Sequence, residues 1–316
     1  MIYTKRLVTG LLTFLPGFSR FAGRRTGGTT SARYCYAVWL RHLVKAHQAG
    51  VSAHPRSLAE LGPGESLGTG IAALLSGAQA YYAFDVLRYA DRETNLAVLD
   101  QLISLFRARA RVPGPDEFPE LRPDLGSYEF PRQILTEDRL DESLRPDRLA
   151  AVEAVVRGDR DVSRDEVVLE YVPNWRDLDE VPEGTLDMVF SQAVLEHVDD
   201  LESTYRAMCR WLKPGGVLSH TIDFRSHGTA RGWNGHWALG DSSWKLVRGR
   251  RPFLLNRQPH STHIALLQRF GLEVVVDIRT TRPSDVDRDR LAARFRGLPE
   301  EDLTTSDAFI QAVKAR

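Results

Sequence analysis

Side chains that can carry out acid–base chemistry cluster in the second half of the chain. Asp223 and His227 follow an apolar run at 217–222, and His197 follows an earlier one at 186–191. A carboxylate and an imidazole can orient an acceptor group and take its proton, since the imidazole titrates near neutral pH. These three residues are therefore candidate catalytic residues. The alternative for each histidine is a structural hydrogen bond in a loop.

A glycine-rich turn, Glu60-Leu61-Gly62-Pro63-Gly64, follows the first predicted strand. Glycines there let the backbone approach a ligand closely, and the next helix start offers free N–H groups. Asp85 ends the second predicted strand, where a carboxylate can accept hydrogen bonds from both hydroxyls of a ribose. This pair suits NAD, FAD and S-adenosylmethionine equally. The alternative is a tight strand–helix turn and a surface aspartate.

The elements that must position these residues alternate along the chain as strands and helices. Strands are predicted at 57–61, 80–86, 167–172, 186–191, 217–222, 273–278 and 308–313. Helices fit between them, notably at 67–77 and 202–212. The alternation predicts an α/β fold with a seven-stranded, mostly parallel sheet and helices on both faces.

The predicted organisation is an N-terminal helical extension at 1–50 and one α/β domain at 51–316. Ser31 can cap a helix that runs to about Gln48. Insertions at about 87–166 and 224–270 leave the sheet at the carboxyl ends of strands, where such sheets bind ligands. We expect them to form an acceptor pocket, the alternative being ordinary surface loops.

The two insertions differ in charge. Residues 113–149 contain ten acids and five arginines, whereas residues 225–260 contain seven basic residues and one aspartate. An acidic surface favours a polycationic acceptor, and a basic one favours phosphate or carboxylate. Within the basic stretch, the tryptophans of segment 233–237 offer flat apolar faces of the kind that stack on sugar rings. His260 and His263 are weaker candidates for the site.

The composition excludes several classes of protein. The net charge is zero, so nothing directs the chain to nucleic acid or to an anionic membrane. Two scattered cysteines form neither a disulfide scaffold nor a thiolate metal site, and they fit a reduced, cytoplasmic protein. The apolar run at 7–18 is interrupted by Pro16 and is too short to span a bilayer. We expect it to form an amphipathic helix rather than an export signal.

Two later blocks distinguish between the cofactors. The first reads Leu-Asp-Met-Val-Phe-Ser-Gln-Ala-Val-Leu-Glu-His-Val from Leu186, and the second reads Trp-Leu-Lys-Pro-Gly-Gly-Val-Leu from Trp211. Lys213 can offset a helix C-terminal dipole, while Pro214 and the glycines end the helix. Together with the glycine turn and Asp85, these blocks resemble the class I, Rossmann-like methyltransferases. The resemblance implies that S-adenosylmethionine is the cofactor.

The resemblance also implies which residues bind the cofactor. They are the residues of the turn, of the second strand end and of the fourth strand end: Glu60, Gly62, Pro63, Gly64, Asp85, Val86 and Gln192. Asp85 matches the ribose ligand of the family. Ser66 stands where a third glycine is usual, and the usual acid near the adenine has no clean counterpart. Trp175 or Asp177 is the candidate for that role.

A metal site is a further possibility that the sequence argues against. Glu196 and His197 resemble the Leu-Glu-His-Val segment of quinone-pathway O-methyltransferases, where an additional upstream acid helps to hold a divalent ion. That position is Ala193 here, and hard cations need several oxygen ligands. We therefore expect no metal. Without a metal, Glu196 favours a helix start and His197 lines the cofactor pocket.

The whole chain is similar to bacterial methyltransferases of secondary metabolism, including aminoglycoside N-methyltransferases of antibiotic biosynthesis. The similarity implies a small polar acceptor, first of all an aminoglycoside amino sugar, with O-methylation of a sugar or another metabolite as the alternative. The alternative from another enzyme class is an NAD-dependent oxidoreductase. It would use the same glycine turn, but that function does not account for the Lys-Pro-Gly-Gly segment. We expect neither nucleic acid nor membrane as a partner, and a homo-oligomer is compatible with the sequence.

Overall fold

The computed structural model describes residues 8, 10–14, 28–159, 167–173, 181–251 and 253–315. Seven apolar runs form strands: β1 (Ser57–Leu61), β2 (Ala80–Asp85), β3 (Val168–Pro173), β4 (Leu186–Gln192), β5 (Leu212–Asp223), β6 (Leu272–Thr281) and β7 (Thr305–Lys314). The helices between them are α1 (Ala32–Gln48), α2 (Gly68–Leu75), α3 (Arg92–Arg107), α4 (Glu137–Ser143), α5 (Pro146–Arg157), α6 (Leu201–Trp211), α7 (Asp241–Arg248), α8 (His260–Arg269) and α9 (Glu300–Thr304).

The strands form one sheet in the order β3-β2-β1-β4-β5-β7-β6. β1 pairs in parallel with β2 and β4, and β3 and β5 extend this parallel pairing outward. β7 alone is reversed, since it is antiparallel to both β5 and β6. The predicted seven-stranded, mostly parallel sheet is confirmed. Its parallel arrangement brings the carboxyl ends of β1, β2, β4 and β5 to one edge.

Helices cover both faces of the sheet, as predicted. Side chains alternate along each strand, so Leu58 of β1 packs into the core under α1, α2, α3 and α5, whereas Ala59 packs under α6 and α8. In β4, Phe190 faces the first core and Val189 the second. Both faces of the central strands are therefore buried, which explains their nearly continuous apolar sequence.

Helix α1 begins and ends where the sequence predicts. The Ser31 hydroxyl accepts a hydrogen bond from the Tyr34 N–H, and the helix ends at Gln48. Twelve of its 17 residues are buried, and the indole of Trp39 donates to the Ser76 hydroxyl at 2.8 Å, just beyond α2. Packing thus joins α1 to the domain that we predicted to begin at residue 51.

None of the described helices combines the length and the apolar character that crossing a bilayer requires.

Candidate active site

The glycine turn after β1 adopts a conformation that favours glycine. Gly62 and Gly64 have φ values of +65° and +79°, which L side chains rarely adopt. The Gly62 N–H donates to the Phe84 carbonyl at 2.8 Å, so the turn lies beside the end of β2. Pro63, between the two glycines, is buried.

Asp85 lies at this edge, close to the turn. Its side chain is largely buried, and the Val86 N–H donates to Oδ1 at 2.7 Å. Burial raises the pKa of the Asp85 carboxyl, although the N–H groups of Val86, Leu87 and Gly64 offset part of the effect. The structure therefore brings the predicted ribose ligand next to the predicted glycine turn.

Glu60 lies beneath the turn rather than on its open side. The Tyr81 hydroxyl donates to its carboxylate at 2.6 Å, and burial raises the pKa of Glu60 to about 8. Gly70 makes room for this pair, since a Cβ there would lie 2.0 Å from the Tyr81 ring. Neither Tyr81 nor Gly70 could be predicted from the sequence to lie here, because neither is close to Glu60 in the chain. A contact between Glu60 and the cofactor stays a prediction.

Thr29 covers the same turn from the N-terminal segment. Its hydroxyl oxygen accepts hydrogen bonds from the N–H groups of Glu65, at 3.0 Å, and Ser66, at 3.3 Å. The Ser66 hydroxyl in turn donates to the Thr29 carbonyl. Ser66 replaces the usual third glycine, and here it ties the turn to this segment. No local sequence signal could have predicted that contact.

The end of β4 packs directly against the glycine turn. Gln192 is the last residue of β4 and is half-buried. Ala193 follows with a φ of +54°, and a Cβ at Gly62 would lie 2.6 Å from the Val194 side chain. A one-turn 3₁₀ helix, Leu195–His197, comes next. Gln192 thus lies at the predicted edge, and its contact with the cofactor remains a prediction.

Asp223, the last residue of β5, is held by a cation on one side and an imidazole on the other. Arg225 donates from Nε to Oδ1 at 2.9 Å and from Nη2 to Oδ2 at 2.7 Å. His227 Nε2 lies 3.0 Å from Oδ2. Burial by itself would raise the pKa of Asp223, but His227 and Arg225 together hold it below its usual value. Asp223 therefore remains ionised and is a weak base.

The three predicted catalytic residues lie close together. The rings of His197 and His227 are 5.3 Å apart, edge to face, and His227 contacts Asp223. His227 has a φ of +46°, a conformation that is uncommon outside glycine and is enriched at functional sites. The tertiary structure thus brings His197, His227 and Asp223 together, and their catalytic role stays a prediction.

Glu196 adds a carboxylate to this cluster. Only 3% of its surface is exposed, and neither carboxylate oxygen has a hydrogen-bond partner of normal geometry. Burial, and next the charge of Asp223, raise the pKa of Glu196 well above its usual value, although the N–H groups of Glu196 and Asp223 offset part of this. Its placement beside Asp223 could not be read from the sequence.

Solved structures of methyltransferases are similar to this chain in fold. An S-adenosylmethionine-dependent methyltransferase from Mesorhizobium loti is 15% identical, with 88% of this chain and 98% of that chain covered and a TM-score of 0.43. Phosphoethanolamine N-methyltransferase 2 from Haemonchus contortus, solved with S-adenosylmethionine, is 17% identical, with 88% and 53% covered and a TM-score of 0.41. No curated protein matches the sequence.

The decisive comparison is with a protein family. The family described as a methyltransferase domain matches residues 151–219, from within α5 into the middle of β5. The protein is a methyltransferase. Its cofactor is S-adenosylmethionine, and the left-handed glycine turn and the buried Asp85 carboxylate at the same edge fit such a cofactor.

Asn256 in the second insertion holds the methyltransferase's 3₁₀ turn in place. Its side-chain amide donates to the carbonyls of Leu195, at 2.7 Å, and Val198, at 2.8 Å. Its N–H donates to the Glu196 carbonyl at 2.8 Å. The role of Asn256 could not be predicted from the sequence, because nothing near it in the chain indicates three hydrogen bonds to a turn about 60 residues away.

The two insertions of the methyltransferase meet beside Asp223. Arg225 Nη1 donates to Glu120 Oε2 at 2.6 Å, which links the first insertion to the second. Most acids of residues 113–149 are paired with arginines, as Glu129 is with Arg111. In residues 225–260, Arg225, Arg248 and Arg257 pair with acids. Ion pairs therefore offset much of the predicted acidic surface but only part of the basic one.

The tryptophan-rich segment does not offer the open faces that we predicted. Trp237 is fully buried among Val286, Leu291, Phe295 and Leu303, and its indole donates to the Arg257 carbonyl at 3.0 Å. Trp233 packs against this cluster, and its indole donates to the Pro283 carbonyl. The prediction of sugar stacking is wrong for Trp237, because its large apolar surface fills a core instead.

The remaining candidates are structural or lie outside the described residues. His263 is buried and contacts the Tyr205 hydroxyl at 2.9 Å, and His260 pairs with Asp277 at 2.8 Å. Both stabilise the packing of α8. Trp175 and Asp177, the candidates for the adenine side, lie outside the described residues.

Proposed function

We propose that this methyltransferase transfers its methyl group to the amino group of a small polar acceptor, an amino sugar of the aminoglycoside type. The observation that carries the proposal is the cluster of buried Glu196 and Asp223 with half-buried His227, at the edge where Asp85 and the glycine turn also lie. The cofactor would bind with its ribose on Asp85 and its methionine part near Gln192. Its methyl group would then face this cluster.

The charges of the cluster favour a cationic acceptor. Glu196, Asp223 and Asp307 are all largely buried, whereas Arg225 is the cation that contacts both aspartates, at 2.7 Å and 3.7 Å. Burial raises the pKa values of Glu196 and Asp307, so a protonated amine beside them would favour their ionised forms, whereas an anion would oppose their ionisation. This balance supports an amine over an acceptor that carries phosphate.

A protonated amine has no lone pair, so it must lose a proton before it attacks. The His227 and His197 imidazoles, whose rings lie 5.3 Å apart, would accept such a proton. Asp223, with its lowered pKa, would orient His227 rather than act as the base. The amine nitrogen would then form a bond to the methyl carbon as the carbon–sulfur bond of the cofactor breaks, leaving S-adenosylhomocysteine.

The two insertions support a pocket built for an acceptor. They meet through Glu120 and Arg225 directly beside Asp223, and Asn256 holds the turn that carries Glu196. Groups fixed from several elements can align a bound acceptor for in-line attack, which is the main task of an enzyme whose cofactor is already activated.

The test is turnover against matched pairs of acceptors. Mass spectrometry would follow methyl transfer to a panel of aminoglycosides and amino sugars and to the same sugars with hydroxyl in place of amine. We expect products only from amines, at a mass increase of one methyl group. Methylation of the hydroxyl analogues alone would favour O-methylation, and calorimetric binding of NADH but not of S-adenosylhomocysteine would favour an oxidoreductase.

A further inference from the structure

Three possible metal ligands from different elements converge at the acceptor side of the site. They are Glu196 in the 3₁₀ turn, Asp223 at the end of β5, and His227 in the following loop. One ligand atom from each lies within 4.8 Å of the others. Both carboxylates are largely buried, so this is not a group of acids in solvent.

The Glu196 carboxylate is an independent indication that this cluster binds a ligand. Its two oxygens are buried and lack hydrogen-bond partners of normal geometry, and a buried carboxylate is normally paired or coordinates a metal. His236 adds a second such group, since its Nδ1 is also buried without a partner. Glu196, Asp223 and His236 line one cavity of about 10 Å³, room for a single water-sized occupant.

The distance between Asp223 and His227 also fits a shared ion. Nε2 lies 3.0 Å from Oδ2, yet Nε2 makes no hydrogen bond of normal geometry. Two ligands at about 2.1 Å from an ion are about 3.0 Å apart in octahedral coordination and about 3.4 Å apart in tetrahedral coordination. The contact therefore has the separation expected of neighbouring ligands.

The carboxylates around the cluster outnumber the cations that contact them, which favours binding of a divalent cation. Glu196, Asp223 and Asp307 supply three carboxylates, and Arg225 contacts the two aspartates but is also paired with Glu120. A second guanidinium, Arg257, lines the cavity but donates to the Leu239 carbonyl and to Asp241. Two carboxylates with imidazole suit Zn²⁺, Mn²⁺ or Co²⁺ better than Ca²⁺ or Mg²⁺, which prefer oxygen alone.

We propose that Glu196, Asp223 and His227 bind one divalent transition-metal ion, with His236 beside it. The ligand set differs from that of the Leu-Glu-His-Val resemblance, in which the upstream position, Ala193 here, supplies an acid. Metal binding does not depend on methyl transfer. A role of the ion in holding the acceptor rests on the proposed function, and His197 would then be the imidazole left to accept the proton.

The test measures metal binding to the full chain without cofactor or acceptor. After dialysis against a chelator, Co²⁺ is added and its visible absorption is recorded, followed by competition with Zn²⁺. We expect one Co²⁺ per chain and at least a tenfold weaker affinity in Glu196→Gln. The matched control is Asp277→Asn, which alters a carboxylate–imidazole pair elsewhere, His260 with Asp277, and should bind Co²⁺ as the wild type does.

Two results would overturn the proposal: no Co²⁺ binding by the wild type at millimolar concentration, or unchanged binding by a folded Glu196→Gln. Should that variant fail to fold, NMR of the histidine side chains in the wild type decides the question. Zn²⁺ must shift the imidazole signals of His227, assigned with His227→Gln, and signals that stay in place contradict the site. Because no methyl acceptor is present, failure of the proposed function would leave this result unaffected.

Discussion

Two parts of the sheet edge contain buried carboxylates that behave in opposite ways. From their proposed roles we call them the cofactor edge, with the glycine turn, Glu60 and Asp85, and the acceptor edge, with Glu196, Asp223 and His227. At the cofactor edge, Glu60 has a neutral partner, the Tyr81 hydroxyl, and burial raises its pKa to about 8. At the acceptor edge, Asp223 is also buried, with 8% of its surface exposed against 2% for Glu60, but Arg225 and His227 outweigh burial and hold its pKa low. Burial acts in the same direction on both carboxylates, so the charged partners of Asp223 are what keep it ionised near neutral pH.

The largest expected effect tests the acceptor edge. His227→Ala removes an imidazole that contacts Asp223, as base or as metal ligand, and should lower turnover by about 10²–10⁴-fold. The dissociation constant of S-adenosylhomocysteine should stay near its wild-type value. Steady-state kinetics and calorimetry measure the two quantities, with the exposed His54→Ala as control. A wild-type rate in His227→Ala would remove His227 from the catalytic group.

The next effect tests the cofactor edge. Asp85→Ala removes the carboxylate predicted to accept hydrogen bonds from the ribose and should weaken cofactor binding by about 1–3 kcal/mol, or roughly 5- to 150-fold. Calorimetric titration with S-adenosylhomocysteine provides the measurement, and Asp100→Asn on the exposed side of α3 is the control. If affinity is unchanged, Asp85 lies outside the binding site and the comparison of the two edges fails.

A smaller effect concerns the contact that holds the 3₁₀ turn. Asn256→Ala leaves the Leu195 and Val198 carbonyls without their side-chain donor, which should cost about 1–2 kcal/mol in the free energy of unfolding. Turnover should also fall, because Glu196 and His197 lie on this turn. Chemical denaturation and kinetics are compared with Gln268→Ala, an exposed change on α8. Loss of stability without any loss of turnover would restrict Asn256 to a structural role.

The smallest effect concerns pH and the Glu60 carboxyl. The folded protein keeps a proton on Glu60 up to about pH 8, whereas the unfolded chain releases it near its ordinary pKa of 4.5. The unfolded state therefore binds fewer protons in this range, and the free energy of unfolding falls as pH rises from about 5 to 8. Glu60→Gln should remove at least about 1 kcal/mol of this dependence, the equivalent of one pKa unit.

Denaturation at pH 5.5 and pH 8.5 measures that difference, with the exposed Glu93→Gln as control. Equal pH dependence in wild type and Glu60→Gln would mean that Glu60 is ionised in the folded protein, and the contrast with Asp223 would then disappear.

Much of the sheet could be predicted because its signals are local. The apolar runs of the seven strands, the Ser31 cap and the glycine turn each lie within a few residues of the chain, and the structure has them within about five residues of the predicted positions. Asp85 could be named for the same reason, since the end of a strand next to a glycine turn is defined by sequence order. The paired charges of the insertions and the burial of Trp237 could not, because they depend on partners far away in the chain.

The sequence by itself determined the α/β alternation, the cofactor turn and the candidates Asp223, His227 and His197. Only the tertiary structure decided that Arg225 takes the carboxylate of Asp223, that Thr29 covers the turn, and that Glu196 is buried beside Asp223 without a hydrogen-bond partner of normal geometry. The physical reason is one of range. Backbone conformation and apolar periodicity act between neighbours in the chain, whereas burial and charge pairing depend on which distant segments the fold brings into contact.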